Sequence, residues 1–178
     1  MSVALIIIDV QTALCSGEYK TFDCENVIKR INLVSEKARL AGVPVILVQH
    51  ESTEDELFRN GSPGWQLAES LVRAQTDILI GKKATDSFHK TELEETLRKL
   101  GVDRMVVCGM QSDFCVDTSI RRALALGYPV DLISDGHTTV DNGILTASQI
   151  TAHHNQTLSN IESFGPRVRL IKSDEVCF

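Results

Sequence analysis

The chain has 178 residues, 43% hydrophobic and 24% charged, a balance that suits a globular protein with a sizeable core. Net charge is −6 with no cluster of lysine and arginine, which argues against nucleic acid or an anionic membrane as the main partner. No apolar run approaches the ~18 residues of a bilayer span. The five cysteines show neither paired spacing nor a Cys-x-x-Cys, and no basic leader precedes the first apolar run, so free thiols in a reducing cytoplasm are expected.

The pattern alternates strand and helix throughout. Val3–Asp9 is a continuous apolar run rich in β-branched residues, as in a strand buried on both faces of a parallel sheet. A helix is predicted from about Glu25 to Ala41, with Val27, Ile31, Val34 and Ala38 on one face, Asp23 as N-cap, and Gly42 and Pro44 to stop it. Strand two is Val43–Gln49. The polar stretch 51–64 is long for a loop and reads as a lid or pocket wall. A short helix is expected over Trp65–Val72, then strand three at Asp77–Ile80. Thr91 and Glu94 suggest a capping box for a helix carrying Leu93, Leu97 and Leu100. Strand four is Met105–Cys108, and a helix starts almost at Cys115, with Val116, Ile120, Ala123 and Leu124 on one face. Strand five is Val130–Ile133, followed by a loop over 134–143. Thr146 and Gln149 form a second capping box for a helix to about Ile161, and strand six is Val168–Ile171. Six strands with helices between them imply a three-layer α/β/α fold around a mostly parallel sheet. No repeat or linker divides residues 1–178, which read as a single domain.

Open parallel sheets bind ligands at the carboxyl ends of their strands. Strand one ends in Asp9, strand three is followed by Lys82 and Lys83, and strand four runs into the turn before Cys115. A thiol at a helix N-terminus meets unpaired N–H groups and the positive end of the helix dipole, both of which favour thiolate. A buried structural cysteine is the alternative. Asp9 would be poorly solvated and in need of a cation, and Lys82 is the candidate. His137 falls in the loop after strand five, either lining a pocket or exposed. Trp65 and Phe114 are pocket walls or core aromatics. His154 shares a face with Ile150 and Leu158, which suggests helix packing or an oligomer contact.

Three segments carry a family resemblance. Asp9-Val10-Gln11 resembles the Asp-x-Gln of the isochorismatase-like cysteine hydrolases. Lys82-Lys83-Ala84-Thr85-Asp86-Ser87-Phe88, with Thr91 and Leu93, resembles the family's Lys-x-x-x-Ser-Ala-Phe…Thr-x-Leu, with Asp86 where Ser is commoner. Cys108–Val116, followed by Thr118, Ala123, Gly127 and Tyr128, resembles the nucleophile segment. The resemblance covers nearly the whole chain and implies the family's Rossmann-like fold. It implies Cys115 as nucleophile, Asp9 as general base, and Lys82 holding Asp9 in place. It also implies a cis peptide at Met110–Gln111 that aims the Gln111 N–H, with that of Cys115, at an oxyanion. Gln11, Trp65, Phe114 and His137 are the candidate substrate-binding residues.

The nicotinamidase members carry an Asp-x-His after strand two to hold a divalent ion. Here Val48-Gln49-His50-Glu51-Ser52 lacks the Asp, so neither metal nor cofactor is expected, though His50 and Glu51 remain conceivable ligands in another geometry. The expected activity is hydrolysis of a C–N bond in a small amide, ureide or carbamoyl compound through a thioester. The alternative within the family is vinyl-ether hydrolysis with Asp9 as acid and no thiol attack. A flavodoxin-like binding module would need glycines after strand one, which Gln11-Thr12-Ala13-Leu14 does not supply. The implied partners are a small-molecule substrate and further copies of the chain, as a dimer or tetramer.

Overall fold

A computed structural model describes residues 2–178. Its six strands are β1 (Val3–Ile8), β2 (Val45–His50), β3 (Ile78–Lys82), β4 (Arg104–Met110), β5 (Val130–Thr138) and β6 (Val168–Ile171). All pair in parallel, in the order β3-β2-β1-β4-β5-β6. The helices are α1 (Thr12–Cys15), α2 (Cys24–Leu40), α3 (Leu93–Lys99), α4 (Asp117–Ala125) and α5 (Ala147–Ser159).

Burial on both faces accounts for the unbroken apolar run of β1. Leu5 and Ile7 face the layer formed by Val27, Ile31, Val34 and Ala38 of α2. Ala4, Ile6 and Ile8 face the layer of Leu93 and Leu97 from α3, Ile120 and Leu124 from α4, and Leu158 from α5. The sheet is thus sandwiched between helices, as expected. β1 pairs with both β2 and β4, so strand order reverses beside it, and a crevice opens beyond its carboxyl end. Gly109 of β4 pairs with Ile8 at φ +127°, and a Cβ there would lie 2.1 Å from the Ile8 carbonyl oxygen. Only glycine lets the two central strands close up just before Asp9.

Several expectations are corrected. Trp65–Val72 is not helical: its backbone is committed to the segment after β1. Thr12 N–H donates to Gln66 O at 2.8 Å, Ala68 N–H to Val10 O at 3.0 Å, and Gln11 bridges Leu67. Strand three extends through Lys82, so that lysine lies in the ladder, paired with His50. Strand four reaches Met110. Strand five runs to Thr138, past a register shift that sets His137 opposite Gly109. The loop predicted from 134 therefore begins only after Thr138, and His137 is a strand residue with 2% exposure. The capping box at Thr146 forms, with Gln149 N–H donating to Thr146 Oγ1 and Thr146 N–H to Gln149 Oε1. The box at Thr91 does not: α3 starts at Leu93 with Glu92 as N-cap, and Thr91 Oγ1 accepts from Leu93 N–H at 3.3 Å instead. α4 begins at Asp117; Cys115 lies before it in a π-helical turn, Ser112–Val116.

Candidate active site

Asp9 follows the last residue of β1 and adopts a left-handed backbone, φ +50°. Few residues tolerate that region, Asp among them. The turn swings its carboxylate over the sheet's edge, where Lys82 reaches it from β3. Lys82 Nζ lies 2.7 Å from Asp9 Oδ2 and 3.1 Å from Cys115 Sγ, and it donates to Ala84 O at 2.9 Å. The ammonium donates to Ala84 and Cys115 and holds Asp9 by its charge. Asp9 and Lys82 are 1% and 2% exposed, and neither carboxylate oxygen of Asp9 finds a hydrogen-bond donor of good geometry. Acid, ammonium and thiol thus meet out of bulk water, each supplied by a different strand end.

The electrostatics differ from what a cysteine at a helix start implies. Burial pushes the Cys115 thiol up, the Asp9 carboxylate pushes it further, and Lys82 pulls it only partly back, leaving it raised to about 12. The nucleophile candidate rests as a thiol beside a bare carboxylate. Two features oppose the expected helix effect: α4 starts two residues later, and the Asp9 carboxylate opposes ionisation of the sulfur. Burial opposes the charge of Lys82, but Asp9 and then Cys115 outweigh it, so Lys82 is raised and stays an ammonium.

Cys115 and Asp9 open into a cavity of about 240 Å³ lined also by Leu14, Tyr19, His50, Asp55, Phe58 and Thr85, with Gln111 and Phe114 completing the wall. The Met110–Gln111 peptide is cis, and the Gln111 N–H takes no acceptor among the described residues. Phe114 is half-exposed at the mouth. His50 packs edge-on against Phe58, 5.5 Å between ring centres, and its Nδ1 is buried without a partner. Burial first, and Lys82 second, hold His50 below its ordinary pKa.

Three of the substrate-binding candidates lie elsewhere. Gln11 is fully buried and acts as a strut: its side chain accepts from His50 N–H and donates to the carbonyls of His50 and Trp65. The Trp65 carbonyl also accepts from Gln49, and its indole is not part of the cavity wall. His137 lies behind the nucleophile turn, hydrogen-bonded to Ser112 and Asn155. Its polar tract read as loop because strand patterning does not reveal side chains that bond inward. Tyr19 and Thr85 were missed. Asp55 and Phe58 fall within the stretch expected to form a pocket wall, and a short 3-10 turn, Glu56–Phe58, presents them.

Among the described residues, no three His, Cys, Asp or Glu side chains converge as metal ligands. Glu51, conceivable as a ligand, is engaged by Lys83 at 3.0 Å and Asn60 at 2.9 Å. Among the described residues, no helix is long and apolar enough to cross a membrane.

The sequence and the fold both have parallels among known proteins. Residues 3–167 match the model of the isochorismatase domain. The chain belongs to the isochorismatase family. A crystal structure of an isochorismatase from Pseudomonas putida superposes with a TM-score of 0.90 at 29% identity, covering 98% of this chain and 89% of that one. Streptothricin hydrolase of Streptomyces noursei is 33% identical over 138 residues, 78% of this chain, and the chain spans only about half (50%) of that protein's length. Ureidoacrylate amidohydrolase of Methylobacterium radiotolerans is 28% identical, over 90% of this chain and 73% of its own.

Proposed function

We propose that the protein is a cysteine-dependent amidohydrolase acting on a small amide, ureide or carbamoyl compound. The observation that carries this reading is the single ammonium, Lys82 Nζ, lying within 3.1 Å of both a buried carboxylate and a cavity-lining thiol. Hydrolase and amidohydrolase relatives support the same chemistry.

The reaction follows from the resting protonation. Asp9 takes the proton of the Cys115 thiol as sulfur attacks the substrate carbonyl carbon. Lys82 offsets the negative charge as it moves from carboxylate to sulfur. The N–H groups of Gln111 and Cys115 face the oxyanion of the tetrahedral intermediate; losing one such donor typically costs about 3 kcal/mol. Asp9 passes the proton to the departing nitrogen, the C–N bond breaks, and a thioester remains. Water then loses a proton to Asp9 and attacks the thioester carbon, and the C–S bond breaks as sulfur regains its proton. A cavity of about 240 Å³ falls below the ~300 Å³ at which drug-sized sites begin, so the substrate is small. Leu14, Phe58 and Phe114 give it an apolar flank, and His50, as a neutral imidazole, offers a hydrogen bond.

The test is a panel of small amides, ureides and carbamoyl compounds assayed by ammonia release, with Cys115→Ala alongside. Turnover that disappears in Cys115→Ala supports the reading. A folded Cys115→Ala with undiminished ammonia release refutes it, and a vinyl ether turned over equally by wild type and Cys115→Ala, with no ammonia from any compound of the panel, would favour Asp9 acting as acid without thiol attack.

A further inference from the structure

A hydrogen-bonded chain of two buried and two half-buried side chains lies directly behind the nucleophile turn, outside the cavity, and the reaction above does not use it. Ser112, three residues before Cys115, is fully buried, with Oγ 2.8 Å from His137 Nδ1 and 3.2 Å from Thr151 Oγ1. His137 Nε2 lies 3.0 Å from Asn155 Oδ1. The proton positions follow from one anchored end. Asn155 Nδ2 donates to the Ser134 carbonyl at 2.9 Å, so Oδ1 is the atom left to face His137. It can only accept, so His137 Nε2 carries the proton. Burial holds His137 well below its ordinary pKa and therefore neutral, which leaves a bare lone pair on Nδ1. The Ser112 hydroxyl must donate to that lone pair, and it accepts in turn from Thr151. One residue on, Asp113 Oδ1 accepts from Thr139 Oγ1 at 2.6 Å.

These bonds clamp a weak element. The turn Ser112–Val116 is π-helical, with Val116 N–H reaching back to Gln111 O at 3.1 Å. The π turn departs from the register of α4, which follows it directly. Its entry is tied to β5 through His137, to the residue after β5 through Thr139, and to α5 through Thr151. The bulge in β5 that lifts His137 opposite Gly109 brings the ring to Ser112. His137, Thr151 and Asn155 do not line the catalytic cavity; they line a separate cavity of about 250 Å³ between β5, α2 and α5.

We propose that Ser112, His137 and Asn155 form a positioning network that sets where Cys115 Sγ stands relative to Asp9 and Lys82. The inference rests on reading Cys115 as the nucleophile. Misplacement of a reacting group by about 1 Å costs on the order of 10²-fold in rate, and loss of one clamp in a turn held by several should cost about tenfold.

The test compares Ser112→Ala, His137→Leu and His137→Asn with wild type. His137→Asn keeps a side-chain acceptor near the place of Nδ1. Three quantities are measured: melting temperature, kcat and KM on an amide found active in the panel, and the rate of Cys115 alkylation by iodoacetamide against pH, read by intact mass. Ser112→Ala and His137→Leu should lower kcat about tenfold with KM within twofold. Their Cys115 titration should move down toward that of an ordinary thiol. His137→Asn should recover most of both changes. A network that only stabilised the fold would lower the melting temperature and leave kcat and the thiol titration of the folded variants at wild-type values; that result overturns the inference, as does equal loss in His137→Asn and His137→Leu. If His137→Leu does not fold, Ser112→Ala, which deletes one oxygen, decides. If no amide is turned over, the alkylation profile decides. Retention of turnover in Cys115→Ala would sink the nucleophile reading itself, whatever the Ser112 and His137 variants do.

Discussion

Replacing Asp9 by Asn should make Cys115 more reactive toward a simple electrophile while abolishing hydrolysis. Asp9 and Cys115 both touch the Lys82 ammonium, at 2.7 and 3.1 Å, so the carboxylate and the sulfur are within about 6 Å of each other. Two unit charges at about 6 Å, with an effective dielectric constant of about 20, repel by about 3 kcal/mol. That is about two pKa units. Removing the carboxylate charge leaves Lys82 to act alone on the sulfur, and the thiol should fall from about 12 toward 10. Thiolate at pH 7 then rises about a hundredfold. Intrinsic nucleophilicity falls with basicity by about half as much on a logarithmic scale, so the net gain in alkylation is about tenfold. Hydrolysis loses its proton carrier and should fall by 10²–10⁴-fold, the usual range for a general base. The assay is iodoacetamide alkylation of Cys115 from pH 6 to pH 10, set beside ammonia release. If alkylation and hydrolysis fall together in Asp9→Asn, Asp9 promotes thiolate instead of holding the thiol protonated, and the electrostatic argument is wrong.

Lys82→Met should leave the Asp9 carboxylate buried without its cation and cost about 3–5 kcal/mol in urea unfolding; a loss under about 1 kcal/mol would show that water or a proton already compensates Asp9. Gly109→Ala should cost several kcal/mol, since its Cβ would meet the Ile8 carbonyl at 2.1 Å in a backbone conformation alanine avoids; a folded variant of near-wild-type melting temperature would refute the close approach of β1 and β4. Stability should also depend on pH through His137. Its pKa falls from 6.5 unfolded to about 4 folded, so the unfolded chain binds the extra proton between those values, and stability drops as pH falls from about 6.5 to about 4. The contribution is about 3 kcal/mol. His137→Asn, measured by urea unfolding across that range, should flatten the slope by this amount, and an unchanged slope would mean that the ring is not held neutral.

The parts of the fold that burial dictates were legible in the sequence. Val3–Ile8 and Val45–His50 announce themselves as strands, and Val27, Ile31, Val34 and Ala38 mark the buried face of α2. Asp9, Lys82 and Cys115 stood out because each interrupts or follows an apolar run at a strand's carboxyl end. Illegible parts are those where polar groups replace apolar contacts. The stretch Ser134–Thr138 reads as loop, yet it continues β5, because Asp135 accepts from Ser173, His137 bonds Ser112 and Asn155, and Thr138 donates to Phe22 O. Trp65–Val72 carries helical spacing, but its carbonyls and amides pair with residues 10–12 across a distance no local pattern reports. The acidity of Cys115 was misjudged for a related reason: helix position is local, whereas the carboxylate that opposes ionisation comes from 106 residues earlier in the chain.

The passage from β2 to β3 carries no α-helix, only turns and the 3-10 segment that brings Asp55 and Phe58 to the cavity. The groups proposed to react follow β1, end β3 and occupy the turn after β4, whose places the sheet dictates. Two of the walls that meet the ligand stand on a segment that the sheet does not dictate. Sequence can therefore drift between His50 and Ile78, changing what the cavity admits, while acid, ammonium and thiol keep their spacing. That division of labour lets one scaffold diversify its choice of molecule without reinventing its chemistry.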